Sequence, residues 1–424
     1  MNHIAIFNKS TSQNNFINHL LAGNEHNLFP EFNGKKEALF STSVLEKYIT
    51  EELNHDDFTL TKNCIDGNGN IRSLTSYSSG QQKKLLLDFL VHKNENEGID
   101  FLILDKPYDC LDIEKQESLA KDLIEIGKKI TLVQIFKIRD EVLPLVKKIY
   151  LVNNDKIEFS GTPEEYDKAF YQQLKPYEFK GNLPDNLQKI EVENPLVKFT
   201  DVNIFYEETR QIVNNINWTI NKGEFWHLKG PNGAGKTSLL TMITGDNAKA
   251  FGEDIMLFGR KKGSGETVWE LKKKIGYFSP SLTQFFGKLF TVQHMVLSGF
   301  YDSIGLYENP TGHQIHEADK WLDLVGLKDK KQMYFVRLSA EMQRIVLIIR
   351  AMVKHPPLLI LDEPTNELDD YATSMLTAFI NKIHQETDTA ILYVSHRMLQ
   401  GLHPDKVYQL TPTKNGSVGT VESS

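Results

Sequence analysis

At 424 residues the chain exceeds the size of one ordinary hydrophobic core, so two domains are expected. Its 40% hydrophobic and 25% charged content exclude a disordered chain, and a formal charge of −8 gives no overall electrostatic footprint for nucleic acid. Only Cys64 and Cys110 are present, which excludes a zinc site, an iron–sulfur cluster and a disulfide framework, and no apolar run approaches the ~20 residues needed to cross a bilayer.

The first apolar run, Ile4 to Phe7, is cut off at once by polar residues and fits neither a signal nor a transit peptide, so a reducing cytoplasm is expected. Three segments follow: Leu39-Phe-Ser-Thr-Ser-Val44, Tyr77-Ser-Ser-Gly-Gln-Gln-Lys83 and Phe101-Leu-Ile-Leu-Asp-Lys-Pro-Tyr-Asp-Cys-Leu-Asp112. After a polar stretch between Pro176 and Pro195 that reads as a linker, the same series returns. Its members are now Tyr277-Phe-Ser-Pro-Ser-Leu282, Leu338-Ser-Ala-Glu-Met-Gln-Arg344 and Leu358-Leu-Ile-Leu-Asp-Glu-Pro-Thr-Asn-Glu-Leu-Asp369. Matches in one order mean two copies of one domain, expected over 1–180 and 195–424. Extending the register aligns Asn8–Gly23 with Gly230–Gly245, and the strand-rich stretch Leu196–Leu228 has no counterpart in the first copy.

Gly230-Pro-Asn-Gly-Ala-Gly-Lys-Thr237 lies between a short strand, Phe225–Leu228, and an apolar helical face over Ser238–Thr244. That context predicts a phosphate cradle. Gly230, Gly233 and Gly235 let the backbone of Asn232, Ala234 and Ser238 close around phosphate oxygens, Lys236 reaches the β- and γ-phosphates of ATP, and Thr237 offers its hydroxyl to Mg²⁺. The buried-strand pattern Leu358–Leu361 ends in Asp362 and Glu363, the first suited to Mg²⁺ and the second to orienting an attacking water. His396, after the strand Ala390–Val394, is placed to reach a γ-phosphate, and Tyr206 is either an adenine-stacking ring or a core aromatic.

These residues resemble the nucleotide-binding domain of ATP-binding-cassette proteins, over both copies and nearly the whole chain. The stretch Val296-Leu-Ser-Gly-Phe-Tyr-Asp-Ser-Ile-Gly-Leu-Tyr307 and the Asp-x-Pro-Tyr-Asp end of the first copy's strand look like the ModF/PhrA-like tandem group associated with molybdate transport. The resemblance implies an α/β chain of two P-loop domains in tandem, the first without its N-terminal β-subdomain, and sites where one domain's phosphate loop faces the other's Leu-Ser-Gly-Gly-Gln signature. In this chain the parts are divided. The first copy has Asn8, Gln13, Asn14 and Asn15 where the loop needs Gly230, Gly235, Lys236 and Thr237, and Lys106 and Lys137 in place of Glu363 and His396, yet keeps Ser78, Ser79, Gly80 and Gln81. The second copy has the complete loop but a signature reading Ser339-Ala340-Glu341-Met342, whose carboxylate would repel a γ-phosphate. One competent composite site is therefore expected, assembled from the two halves of one chain.

The family's loop glutamine would fall at Ser279 or Pro280, with Gln284 out of register, and the aromatic run Phe285, Phe286, Phe290, Phe300, Tyr301 and Tyr307 lies where family members dock a partner. The motifs and the resemblance together imply an Mg²⁺-dependent ATPase energising a separate membrane permease from the inner face of the membrane. The alternatives are an ATP-switched factor on ribosomes or nucleic acid, and a regulatory binding module whose turnover is incidental.

Overall fold

The computed structural model describes residues 1–9, 16–17, 28–54, 73–154, 156–171, 177–185, 190–206, 210–247, 250, 252–265 and 267–423. The chain divides into two compact units, Met1–Lys175 and Pro176–Ser424.

The first unit is built on a six-stranded sheet: β1 (Ile4–Asn8), β2 (Glu37–Phe40), β3 (Phe101–Asp105), β4 (Thr131–Phe136), β5 (Lys148–Asn153) and β6 (Lys156–Gly161), in the order β2-β3-β4-β1-β5-β6. All neighbours are parallel except β5 and β6. Runs such as Phe101-Leu-Ile-Leu are apolar without alternation because both faces of a parallel sheet are covered. One face packs under the helices Thr42–Asn54, Ser79–Glu97 and Ile113–Gly127, and the other is closed by Phe16, Ile17, Phe29 and Phe32. Asp112 starts the third of those helices by accepting the Lys115 backbone N–H.

The second unit opens with β7 (Val197–Tyr206) and β8 (Arg210–Ile220), then β9 (Phe225–Lys229), β10 (Asp254–Leu257) and β11 (Arg260–Lys261). It continues with β12 (Ile275–Phe278), β13 (Leu358–Asp362), β14 (Ala390–Ser395), β15 (Lys406–Thr411) and β16 (Val418–Ser423). Six of these form a sheet in the order β12-β13-β14-β9-β15-β16, the same topology as the first unit, and the rest form an antiparallel sheet β11-β10-β7-β8. The two sheets enclose a core in which Trp218 of β8 stacks on Tyr408 of β15 at 4.4 Å between ring centroids. The opposite face of the six-stranded sheet lies under a helical layer that includes Val292–Leu297, Gly312–Leu324, Ala340–Met352 and Asp370–Glu386.

Two features depart from the sequence reading. The antiparallel subdomain extends beyond Leu196–Leu228 because β10 returns to pair Ile255 with Phe199, a non-local match that four residues of sequence do not advertise. Tyr177 and Phe179, which the boundary at 180 left with the first half, pack on the second unit: Phe179 lies 5.1 Å from Phe379 and Tyr177 lies 6.3 Å from Tyr371. Leu183 of the supposed linker is a buried member of that unit's helical core. Aromatic and aliphatic side chains amid the polar residues find apolar area there, which outweighs the turn-like composition.

Candidate functional site

β9 is flanked by β14 and β15, so its carboxyl end opens at the middle of the sheet. Gly230 follows it immediately, and a Cβ there would lie 2.9 Å from the Leu410 carbonyl oxygen. The loop turns through left-handed backbone at Gly233 (φ 81°) and Gly235 (φ 96°), and a Cβ on Gly235 would meet Val213 Cγ1 at 2.6 Å. Both requirements favour glycine strongly. The helix Lys236–Thr244 begins at once, so its first N–H groups and positive dipole end are presented at the loop. Lys236 is buried and its Nζ donates to the carbonyls of Gly230 (2.7 Å) and Pro231 (3.2 Å), which holds the ammonium over the loop's own backbone.

A cleft of about 640 Å³ adjoins this loop and is lined by Asn232, Gly233, Gly235, Lys236, Thr237 and Ser238 together with Tyr206, Ile212, Asp362 and Glu363. Ala234 faces away, buried beside Gly230. Tyr206 is 54% exposed, which removes the core-aromatic reading, and it lines the cleft.

β13 lies between β12 and β14, with Leu358–Leu361 wholly buried, and delivers Asp362 and Glu363 at its end. Burial, reinforced by the neighbouring Glu363 charge, pushes the Asp362 carboxyl up to about 6, while the Tyr277 hydroxyl and Lys236 act against the shift. The Tyr277 hydroxyl donates to Asp362 Oδ2 at 3.4 Å. Glu363 sits in left-handed backbone (φ 45°), anchored by its N–H to the Val394 carbonyl at 2.9 Å, and its Oε1 lies 3.4 Å from His396 Nδ1. Strained backbone at a non-glycine residue is held by surrounding contacts. Here Arg344 supplies some of them, donating to the carbonyls of Asn366 (2.9 Å) and Pro364 (3.5 Å) just beyond Glu363. Behind His396, the His227 imidazole meets Ser395 Oγ at 2.9 Å; burial pushes its pKa down to about 4, so the ring is neutral.

Tyr277, Arg344 and His227 were not singled out by motif. For Arg344 the signal was present: a cation occupies the same place in both copies, since Lys83 Nζ donates to the carbonyls of Pro107 (2.9 Å) and Asp109 (2.7 Å). Gln284 lies on the short helix Leu282–Phe285, exposed and outside the cleft, while Ser279 is buried with its Oγ 2.6 Å from Ser281 Oγ.

The strand registers locate the first unit's counterparts. Ile4 pairs with Val133 as Trp226 pairs with Leu392, which sets Asn8 at the place of Gly230 and Lys137 at that of His396. Lys106 repeats the left-handed backbone of Glu363 (φ 44°), and Cys110 and Glu367 share φ 64°. Gln13, Asn14 and Asn15 lie outside the described residues. Ser78, Ser79, Gly80 and Gln81 form the start of the helix Ser79–Glu97, where the Ser78 N–H donates to Gln81 Oε1 at 3.0 Å and Ser79 Oγ donates to the Cys110 carbonyl at 3.2 Å. In the second unit Ser339 precedes Ala340–Met352, and Glu341 stands in its first turn.

The oxygen donors at the cleft, the Thr237 hydroxyl and the Asp362 carboxylate, are of the hard kind that Mg²⁺ takes, and a dication would offset the adjacent charges of Asp362 and Glu363. A phosphate loop on the central strand, with its acidic pair on a strand two places away, puts the second unit among the P-loop nucleotide hydrolases. Within that class the chain belongs to the ATP-binding-cassette ATPases: residues 213–366 match the ABC transporter family model. It is 36% identical over 336 residues to the ABC transporter ATP-binding protein ModF of Escherichia coli (strain K12), covering 75% of this chain and 66% of ModF. It is 37% identical to the uncharacterised ABC transporter ATP-binding protein YlmA of Bacillus subtilis (strain 168), over 44% of this chain and 70% of YlmA. A chain from a structure of ribosome-bound archaeal Pelota and ABCE1 shares the fold across 99% of this chain and 74% of its own length, with a TM-score of 0.64 at 15% identity. Among the described residues no helix is long and apolar enough to cross a membrane.

Proposed function

We propose that the chain hydrolyses ATP at one site, with the phosphate loop and carboxylates of the second unit and the signature of the first, and that turnover energises a membrane permease on a separate polypeptide. The observation that carries the first part is the complementarity of the losses. The loop, the Asp362–Glu363 pair and His396 survive only where the signature is spoiled by Glu341, and the signature survives only where Lys106 and Lys137 replace Glu363 and His396. In this reading Lys236 and the loop amides hold the β- and γ-phosphates, Tyr206 stacks on the adenine, and Thr237 and Asp362 hold Mg²⁺, which supplies charge neutralisation. Glu363 orients the attacking water and accepts its proton, His396 steadies Glu363 and the γ-phosphate, and the signature Ser78 to Gln81 supplies the remaining hydrogen-bond donors.

The transport part is supported by the name of the ModF relative and by a groove of about 660 Å³ in the helical layer, lined by Leu289, Phe290, Leu297 and Tyr307. Of the aromatic run, Phe286 is buried in the core, whereas Phe285 (60%) and the groove-lining Tyr307 (83%) are exposed, as a docking surface requires. Action at the inner face of the membrane belongs to the same proposal. Equilibrium dialysis with a non-hydrolysable analogue should find about one tight Mg-nucleotide per chain, and two would overturn the single-site reading. Affinity purification after membrane solubilisation should bring down an integral-membrane protein; ribosomal proteins in its place would favour the ribosome-linked alternative.

A further inference from the structure

Residues 260–274, Arg-Lys-Lys-Gly-Ser-Gly-Glu-Thr-Val-Trp-Glu-Leu-Lys-Lys-Lys, hold six Lys and Arg against two Glu in a chain whose formal charge is −8. The fold gathers this local excess onto one corner of the second unit. Arg260 and Lys261 form β11, and Lys272, Lys273 and Lys274 end the helix Val268–Lys274. Lys274 Nζ lies 5.2 Å from the Phe258 ring, which ties that helix to the β10–β11 hairpin. Lys262 Nζ, Val268 Cγ2 and Leu271 Cδ1 all lie within 3.6 Å of the point where a Cβ on Gly245 would stand. From this corner Trp269 projects, 66% exposed, next to an exposed Val268, while Trp218, Trp226 and Trp321 are at most 3% exposed. A large apolar ring left in water amid cations has no explanation in folding, nor in the nucleotide site.

We infer that this corner is a contact for an anionic lipid surface. Tryptophan prefers the headgroup level of a bilayer, and Lys and Arg around it are drawn to a negative leaflet. Lys272 Nζ already stands 5.5 Å over the Trp269 ring, so one face is taken and the ring offers its edge and remaining face to an interface, not a sandwich for successive bases. Among the described carboxylates near these cations, Asp254 pairs with Lys261 at 3.4 Å, Asp302 pairs with Lys354 and also acts on Lys272, Glu270 closes the capping box with Thr267 beside Arg260 and Lys274, and Glu193 approaches Gly259. The contact is independent of any permease and would hold the ATPase at the membrane by its own surface.

Trp269 makes the test direct, because its emission is the water-exposed part of the chain's fluorescence. Protein-free vesicles of phosphatidylcholine with about a third phosphatidylglycerol should move that emission to shorter wavelength, and vesicles of phosphatidylcholine alone should not. Trp269→Phe should abolish the change and 0.5 M salt should suppress it. Reversing three exposed cations together, Arg260→Glu, Lys261→Glu and Lys273→Glu, should weaken vesicle binding at least ~10²-fold, from about fivefold per cation removed, with circular dichroism and ATPase rate in the absence of lipid unchanged. Equal binding to neutral vesicles, or full binding by the triple variant, overturns the inference. So does tighter quenching of Trp269 by a single-stranded RNA oligonucleotide than by lipid, which would make the partner a nucleic acid, and so does a blue emission in the lipid-free protein, which would mean that the ring is already covered. The vesicles contain no permease, so failure here leaves the transport reading standing, and the reverse also holds.

Discussion

The two units share a scaffold and differ in chemistry. Both run their six-stranded sheets in one strand order, both force left-handed backbone on the residue after the acidic strand (Lys106 φ 44°, Glu363 φ 45°), and both pin the following loop with a cation from the signature helix, Lys83 or Arg344. Yet the strained position carries a carboxylate in one unit and an ammonium in the other. Folding depends on apolar burial and backbone pairing, which are preserved, whereas hydrolysis depends on a few polar groups at strand ends that contribute little to the core. A unit can therefore change the polar groups at its strand ends and keep its shape. In the second unit the antiparallel sheet packs on the flank of the phosphate loop: Val213 and Ile212 touch the position of a Gly235 Cβ. In the first unit Phe29 meets Tyr150 at 4.9 Å on the sheet face that Trp218 covers over Tyr408 in the second.

The largest effect should come from exchanging the chemistry at the shared strained position. Glu363→Gln should keep ATP binding and lower turnover by roughly 10²–10⁴-fold, while Lys106→Gln should leave the rate unchanged in a steady-state assay. Equal losses in both would mean that the units are equivalent after all. Gly80→Asp should lower hydrolysis by on the order of 10²–10³-fold, the scale set by removing a charge-stabilising contact at a transition state, with nucleotide binding to the loop retained. Because a Cβ on Gly80 would lie 2.6 Å from Lys115 Cδ, Gly80→Ala serves as the steric control and should cost much less. Glu341→Gly should change the rate little, since the loop it would face has Asn14 where a lysine is needed; a large gain would break the composite site. Lys236→Ala should weaken Mg·ATP binding by about 10- to 100-fold, the cost of a lost charged hydrogen bond, read by calorimetry.

Smaller effects come from electrostatics and packing. Burial lets Asp362 hold its proton up to about pH 6, so activity should fall on acidification through that pH as the carboxylate is lost. Raising Mg²⁺ should move this limb to lower pH, because the dication competes with the proton, and a limb indifferent to Mg²⁺ would remove Asp362 from the metal site. The same shift makes the native state the stronger proton binder between the ordinary value of 3.8 and about 6, so this group's contribution to stability declines as pH rises through that window. Last, Arg344→Met and Lys83→Met should each lower stability by about 1–3 kcal/mol through the carbonyls left unpaired, measured by denaturant titration, but only Arg344→Met should also slow turnover.

Sequence by itself determined the repeat, the class of fold and the second unit's loop. Those signals are local: a glycine at φ 81° or 96° declares its backbone, and an unbroken Leu358–Leu361 declares a covered strand. Tyr206 carried no such signal, and its exposure came from the way β7 pairs with β8. Only the tertiary structure brought Tyr277 to Asp362 across 85 residues and Arg344 to the loop beyond Glu363. It also moved Tyr177, Phe179 and Leu183 out of an apparent linker onto the second unit's helical face. Such contacts depend on which strands become neighbours, and adjacency in a sheet is decided by the summed burial of the whole core and not by any residue's own preference.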